Sequence, residues 1–300
     1  MKKGLFYLLS LLFLMSSVYI LSAQDKRIYN DGIIDYVPLS ASFVLSAEDY
    51  ESTLKEIQYS VDGAEIRVYQ KPISFTTEGR HIIAYRAIDL TGNISNEKIY
   101  SVIVDGTPPE GIATVEGSVY MKDSEVYITR ESAIILWAED DLSGVDNIYV
   151  RLDDMDFMAY TEPVIITEEG FHTAETYAVD NVGNTTSVFT VQGYVDSTPP
   201  SVSVVPAEDF VVVGNENYTN RNNEYTVRAY DASSGVQNIL VSFDGSEYVS
   251  YTVPFKVQIS GFHTVSAKAV DNLGNISEPT ELSFYVDVVP PESKLGTTID

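Results

Sequence analysis

The 300-residue chain has 18 basic and 44 acidic residues, a net charge of −26, and no cysteine. A field of that sign repels nucleic acid and anionic lipid, which excludes a DNA- or RNA-binding role. Without disulfides each folded part must be held by its own core, and 44% hydrophobic residues with 21 Tyr fit packed domains better than an acidic disordered chain.

The N-terminus opens with Lys2 and Lys3, runs without a charge from Gly4 to Ala23, and becomes charged again at Asp25 and Lys26. That order is a secretory signal peptide over residues 1–23, with Ser22 and Ala23 before the cut. The apolar run is also long enough to stay as a membrane anchor. Either outcome predicts an exported chain in the periplasm, on the outer surface or secreted. Cleavage removes Lys2 and Lys3 and takes the net charge from −26 to −28. No Cys follows the run, so lipid anchoring is excluded.

Beyond the leader the chain repeats itself every 91 residues. His81, His172 and His263 keep that spacing, as do Asp89, Asp180 and Asp271, the asparagines Asn93, Asn184 and Asn275, and the diprolines beginning at Pro108, Pro199 and Pro290. A fixed period without insertions is one folding unit copied in tandem. The copies fall at 24–106, 107–197 and 198–289, and residues 290–300 match the start of a further one, so the chain is expected to continue.

Within a copy, apolar residues alternate at the strand period. The first such strand carries Phe43, Leu45 and Ala47, then Ile134, Leu136 and Ala138, then Tyr225, Val227 and Ala229. A second carries Ile57, Tyr59 and Val61 and their counterparts, and a third Ile83, Tyr85 and Ala87 and theirs. Turn signals such as Asp62-Gly63, Asp244-Gly245 and the Asp-x-x-Gly-Asn segments lie between them. About seven short strands per copy predict an all-β chain of three tandem immunoglobulin-like β-sandwich modules after a signal peptide. The first strand of module one would fall inside the leader.

The segments AEDDLSGVDNIYVRLDD, YTEP, EEGFHTAETYAVDNVGNTT and VDSTPP, with their counterparts one period away, resemble a bacterial Ig-like repeat family named for a spirochaetal outer-membrane protein and labelled a β-barrel repeat. The resemblance covers nearly the whole chain after the leader. It implies a bacterial surface or periplasmic protein, in some cases an adhesin, and names no ligand.

Chemistry is sparse. The three His share one equivalent position, so they stand on the order of 30 Å or more apart and share no site; each is read as closing a sandwich edge. No Ser/His/Asp set, P-loop or zinc spacing is present, so no enzyme and no catalytic residue is expected. The acidic turns have a local explanation, since Asp accepts backbone N–H bonds and Gly takes the left-handed conformation. Topology also brings the loops after the first and third of these strands to the end that meets the preceding linker. Asp105, Asp140, Asp141 and Asp180 would then form one oxygen-rich group and Asp196, Asp231 and Asp271 another, of the kind calcium accepts. Trp137, out of phase with its core-facing neighbours, is expected to point outward as a ligand contact. The function that follows is an adhesin or structural spacer, a monomeric rod with a protein or glycan ligand at the cell surface. The alternative is a carbohydrate-binding or spacer region of a larger enzyme with its catalytic domain beyond residue 300. A transmembrane barrel is not expected, because the alternation keeps breaking at turns.

Overall fold

The computed structural model describes residues 27–49 and 52–295, so the leader and the last five residues lie outside it. Every regular element among the described residues is a strand. No helix there is long and apolar enough to cross a membrane. The strands form two compact units. One takes residues up to Val115 with Ile134–Val164 and Thr173–Val191, and the other takes Glu116–Ala133, Ile165–His172 and residues from Gln192 on.

In the first unit, the first repeat builds a six-stranded sheet in the order Tyr29–Asn30, Asp35–Pro38, Lys98–Asp105, Gly79–Asp89, Leu54–Val61, Arg67–Val68. Asp35–Pro38 runs parallel to Lys98–Asp105, while Gly79–Asp89 lies antiparallel to Lys98–Asp105 and to Leu54–Val61. A two-stranded sheet of Ser42–Phe43 and Ile73–Ser74 packs on one face. The core between them is Val37, Ile73, Phe75, Ile83, Val102 and Val104. This is a β-sandwich made by the alternation already visible in the sequence.

In the second unit the third repeat shows the same plan. Its six strands run Val211–Val213, Glu216–Asn220, Thr280–Asp287, Gly261–Asp271, Val236–Phe243, Val249–Ser250, and its smaller sheet is Ser201–Pro206, Glu224–Tyr230, Phe255–Lys256. Glu216–Asn220 is again parallel to Thr280–Asp287. Tyr225 of the small sheet stacks on Phe284 of the large one, with centroids 4.8 Å apart, and Val241, Val265 and Val286 complete the core.

Strands of the middle repeat fall in both units. In the first, Val145–Leu152 pairs antiparallel with Gly170–Asp180 over Ala174–Asp180. In the second, Val119–Lys122 forms a hairpin with Glu125–Ile128, which runs parallel to the end of Phe189–Val195. The architecture is that of tandem β-sandwich repeats, as the sequence predicts.

Two expectations need correction. The second and third repeats each have nine strands, because a hairpin and several two-residue edge strands add to the seven. The strand expected at Phe43, Leu45 and Ala47 stops at Phe43. In the other repeats the equivalent strand is flanked on both sides, by Glu110–Glu116 and Val164–Ile165 or by Ser201–Pro206 and Phe255–Lys256. Among the described residues Ser42–Phe43 pairs with Ile73–Ser74. The counterpart of Glu110–Glu116 would be residues 19–25, outside the described residues.

Phe284 is fully enclosed between the sheets of the third repeat. Phe284→Ala should cost about 3–5 kcal/mol, read as a lower urea midpoint for one unfolding transition.

Candidate functional site

The acidic turns are built by local hydrogen bonding. Asp180 ends the strand Gly170–Asp180, and its Oδ1 accepts the backbone N–H of Val182 at 2.9 Å and of Asn184 at 2.7 Å. Asn184 Nδ2 donates to the other oxygen at 2.6 Å. Gly183 takes a φ of 88°, a conformation that a Cβ would strain, which is why glycine stands there. Asp271, Leu273 and Asn275 repeat the arrangement in the second unit. In the neighbouring loop Asp140 Oδ1 accepts from Leu142 at 3.2 Å and Gly144 at 2.7 Å, and Asp231 accepts from Ser233 at 3.1 Å and Gly235 at 2.7 Å. Pairing of Val145 with Asp180 and of Val236 with Asp271 sets loop and turn side by side.

The linker aspartates complete the groups. Asp105 is fully buried; its Oδ2 accepts the Ser143 N–H at 3.0 Å and its carbonyl accepts Asn184 Nδ2 at 3.2 Å. Asp196 does the same with Ser234 at 2.9 Å and Asn275 at 3.1 Å. Asp105, Asp140 and Asp180 each place a carboxylate oxygen within 4.8 Å of the others, as do Asp196, Asp231 and Asp271. The structure therefore brings together six of the seven aspartates expected from the sequence. Asp141 is the exception: it is exposed and outside the group, because Asp140 alone is turned inward to cap its loop.

Electrostatics make these groups costly. Asp180 and Asp271 are fully buried like the linker aspartates, and Asp140 and Asp231 are half-buried. Among the described residues no Lys, Arg or His forms an ion pair with any of the six. At an effective dielectric near 20, two unit charges that close repel by about 3 kcal/mol. Burial pushes Asp140 and Asp180 above the ordinary 3.8, and the charge of Asp105 adds to the rise despite the N–H donors.

The first repeat is an internal comparison. It keeps Asp49, Ser52, Asp89 and Asn93 at the matching positions, but the linker position is Leu14, outside the described residues. There Asp89 moves the opposite way, well below the usual carboxylate range; burial raises it, and hydrogen bonds from Asn93, Thr91 and Ser52 outweigh that. Ser52 Oγ donates to Asp49 Oδ2 at 3.2 Å. At the same position in the other repeats, the hydroxyls of Ser143 and Ser234 are buried with no hydrogen-bond partner. These serines went unnoticed in the sequence as possible ligands; their recurrence at the 91-residue offset was the available signal.

Other candidates are structural or surface features. His81 bridges Asp62 Oδ2 at 2.7 Å and the Thr77 carbonyl at 2.9 Å, and His263 bridges Asp244 and Ile259 likewise. Each locks an aspartate held at positive φ onto the adjacent strand. Trp137 points outward and is 51% exposed.

No protein-family model and no curated protein matches the chain. Among solved structures it is similar to the fibronectin(III)-like modules of Clostridium thermocellum CbhA at 11% identity, over 56% of this chain and 94% of that one, with a TM-score of 0.30. A bacterial ice-binding adhesin is similar at 12% identity over 80% and 87%, TM-score 0.37. Extracellular cadherin domains 3–6 of protocadherin gamma B2 are similar at 14% over 88% and 73%, TM-score 0.28. Likenesses this loose carry no argument about ligand or role.

Carboxyl titration by NMR in EDTA should show Asp140 and Asp180 titrating above 3.8 and Asp89 below it. The signs for stability follow. The raised pair contributes stability that is present below the ordinary value and lost as pH rises through the folded one. Asp89 contributes stability present above 3.8 and lost on acidification. In Asp140→Asn the amide oxygen keeps both loop bonds while one charge goes, so the metal-free protein should melt no lower, and its stability should fall less as pH climbs above about 4.

Proposed function

We propose that the chain is an exported, non-catalytic repeat protein of the Ig-like class that its motifs resemble, acting as a spacer or adhesive stalk at the bacterial surface. The observation that carries this reading is the way each linker is held from both sides. Glu78 accepts from the Gly106 N–H and the Thr107 hydroxyl, both at 2.7 Å, while Asp105 of the same linker is buried against Ser143 and Asn184. Glu169 and Asp196 hold the second linker in the same manner, with Glu169 accepting from Ser197 and Asp196 from Ser234. Pro109 and Pro200 are buried as well. Linkers tied down this way suit a protein that keeps something at a set distance, where a flexible linker would not.

The alternative, a carbohydrate-binding or spacer region of a larger enzyme, is favoured by the half-exposed indole of Trp137, since an outward Trp stacks well on a sugar ring. Glycan binding lost in Trp137→Ala would support it.

Protease added to intact cells should digest the chain, and N-terminal sequencing should find Gln24 first if the leader is cut. Recovery of the full chain in the cytosol would overturn the reading. Replacing the repeats with an unrelated array of equal length should preserve a spacer's role and abolish an adhesin's.

A further inference from the structure

The two aspartate groups call for more than a turn-forming role. Turn formation explains Asp180 and Asp271, whose oxygens are all taken by N–H donors, and it explains one oxygen each of Asp140 and Asp231. It leaves unexplained why a linker carboxylate is buried beside them, and why, among the described residues, the hydrogen bonds to Asp140 and Asp231 all fall on Oδ1.

The serines supply an independent observation. Ser143 lies in the loop capped by Asp140, and its own N–H is given to Asp105, so two members of the group bracket it. Among the described residues its hydroxyl is buried with no partner, and so is that of Ser234 in the matching place. In the first repeat, among the described residues, the equivalent Ser52 turns its hydroxyl onto Asp49 and also supports Asp89. The position thus reaches the carboxylates, yet the hydroxyl is orphaned in the two repeats that have the third acid. A buried hydroxyl without a partner costs free energy comparable to a lost hydrogen bond. The same feature in two copies marks an oxygen kept for something other than a protein donor.

We infer that Asp105, Asp140 and Asp180 with Ser143, and Asp196, Asp231 and Asp271 with Ser234, are two equivalent sites for a hard divalent cation, calcium in the extracellular setting. The donors are all oxygen, the charge is threefold negative, and the spacing within 4.8 Å suits oxygens placed 2.3–2.6 Å from a common centre. Magnesium is disfavoured, because it demands near-ideal octahedral geometry and keeps its waters. The cation would neutralise the repulsion and tie linker, loop and turn together. It rests on the export reading only for the supply of millimolar calcium.

The test uses the purified full chain stripped with EDTA and titrated with calcium chloride by calorimetry, with magnesium chloride as the comparison. Two sites should appear, with affinities of ~10⁻⁴ to 10⁻³ M as for other extracellular modules, and the melting temperature should rise by several degrees at ~10 mM calcium. Asp140→Asn and Asp231→Asn should each remove one site while melting no lower than wild type in EDTA, which separates loss of a ligand from loss of fold. Ser143→Ala and Ser234→Ala make the sharper comparison. If the hydroxyls are ligands, calcium affinity falls several-fold at the altered site; if they are merely buried defects, removing them stabilises the protein equally with and without calcium, and the inference fails. No heat and no melting shift at 10 mM calcium would also overturn it. Export is read by cell fractionation, so a failed titration leaves the spacer reading standing, and a cytosolic protein leaves the titration intact.

Discussion

A carboxylate taken out of water must find partners of its own, and in this chain that requirement falls on the linker. Asp105 and Asp196 lie at the end of one repeat's last strand region; one oxygen of each accepts from the linker itself, at Thr107 or Thr198, and the other from the loop of the next repeat. Burial is possible only if loop and turn of that next repeat stand together, which strand pairing at Val145 and Asp180, or Val236 and Asp271, secures. The sandwich therefore does more than enclose its core. It presents a ring of donors at one end, and the chain that enters there is ordered by them.

The contrast between Asp89 and Asp180 shows how one local motif takes on two electrostatic characters. Both sit in the same Asp-x-x-Gly-Asn turn with an asparagine amide on the second oxygen. At Asp89 the hydrogen bonds from Asn93, Thr91 and Ser52 outweigh burial, and the carboxylate holds its charge easily. Deeper burial and the presence of Asp105 reverse the balance at Asp180. Motif alone does not set the chemistry; burial does most of it at Asp180, and the charge of a residue 75 positions upstream adds to it.

Much of this was legible before the structure. The 91-residue period, the alternation in the long strands and the turn aspartates follow from patterns that local physics enforces, and they placed six of the clustered carboxylates. What escaped depends on relations that the sequence encodes only in three dimensions. Asp141 is an aspartate like its neighbour, but only the residue capping the loop faces inward. Ser143 and Ser234 read as ordinary loop serines, because a hydroxyl's lack of a partner is a property of burial. The short strand at Ser42–Phe43 was not foreseen either, since its own alternation runs on through Leu45 and Ala47.

The parallel pairing at the margin of the large sheet carries a mechanical meaning. Asp35–Pro38 beside Lys98–Asp105, and Glu216–Asn220 beside Thr280–Asp287, join an early strand of the repeat to its last one. Tension applied through the two ends of such a repeat pulls these strands past each other along their length. The backbone bonds between them then bear the force in shear and must fail together, whereas strands peeled apart from one end give way one bond at a time.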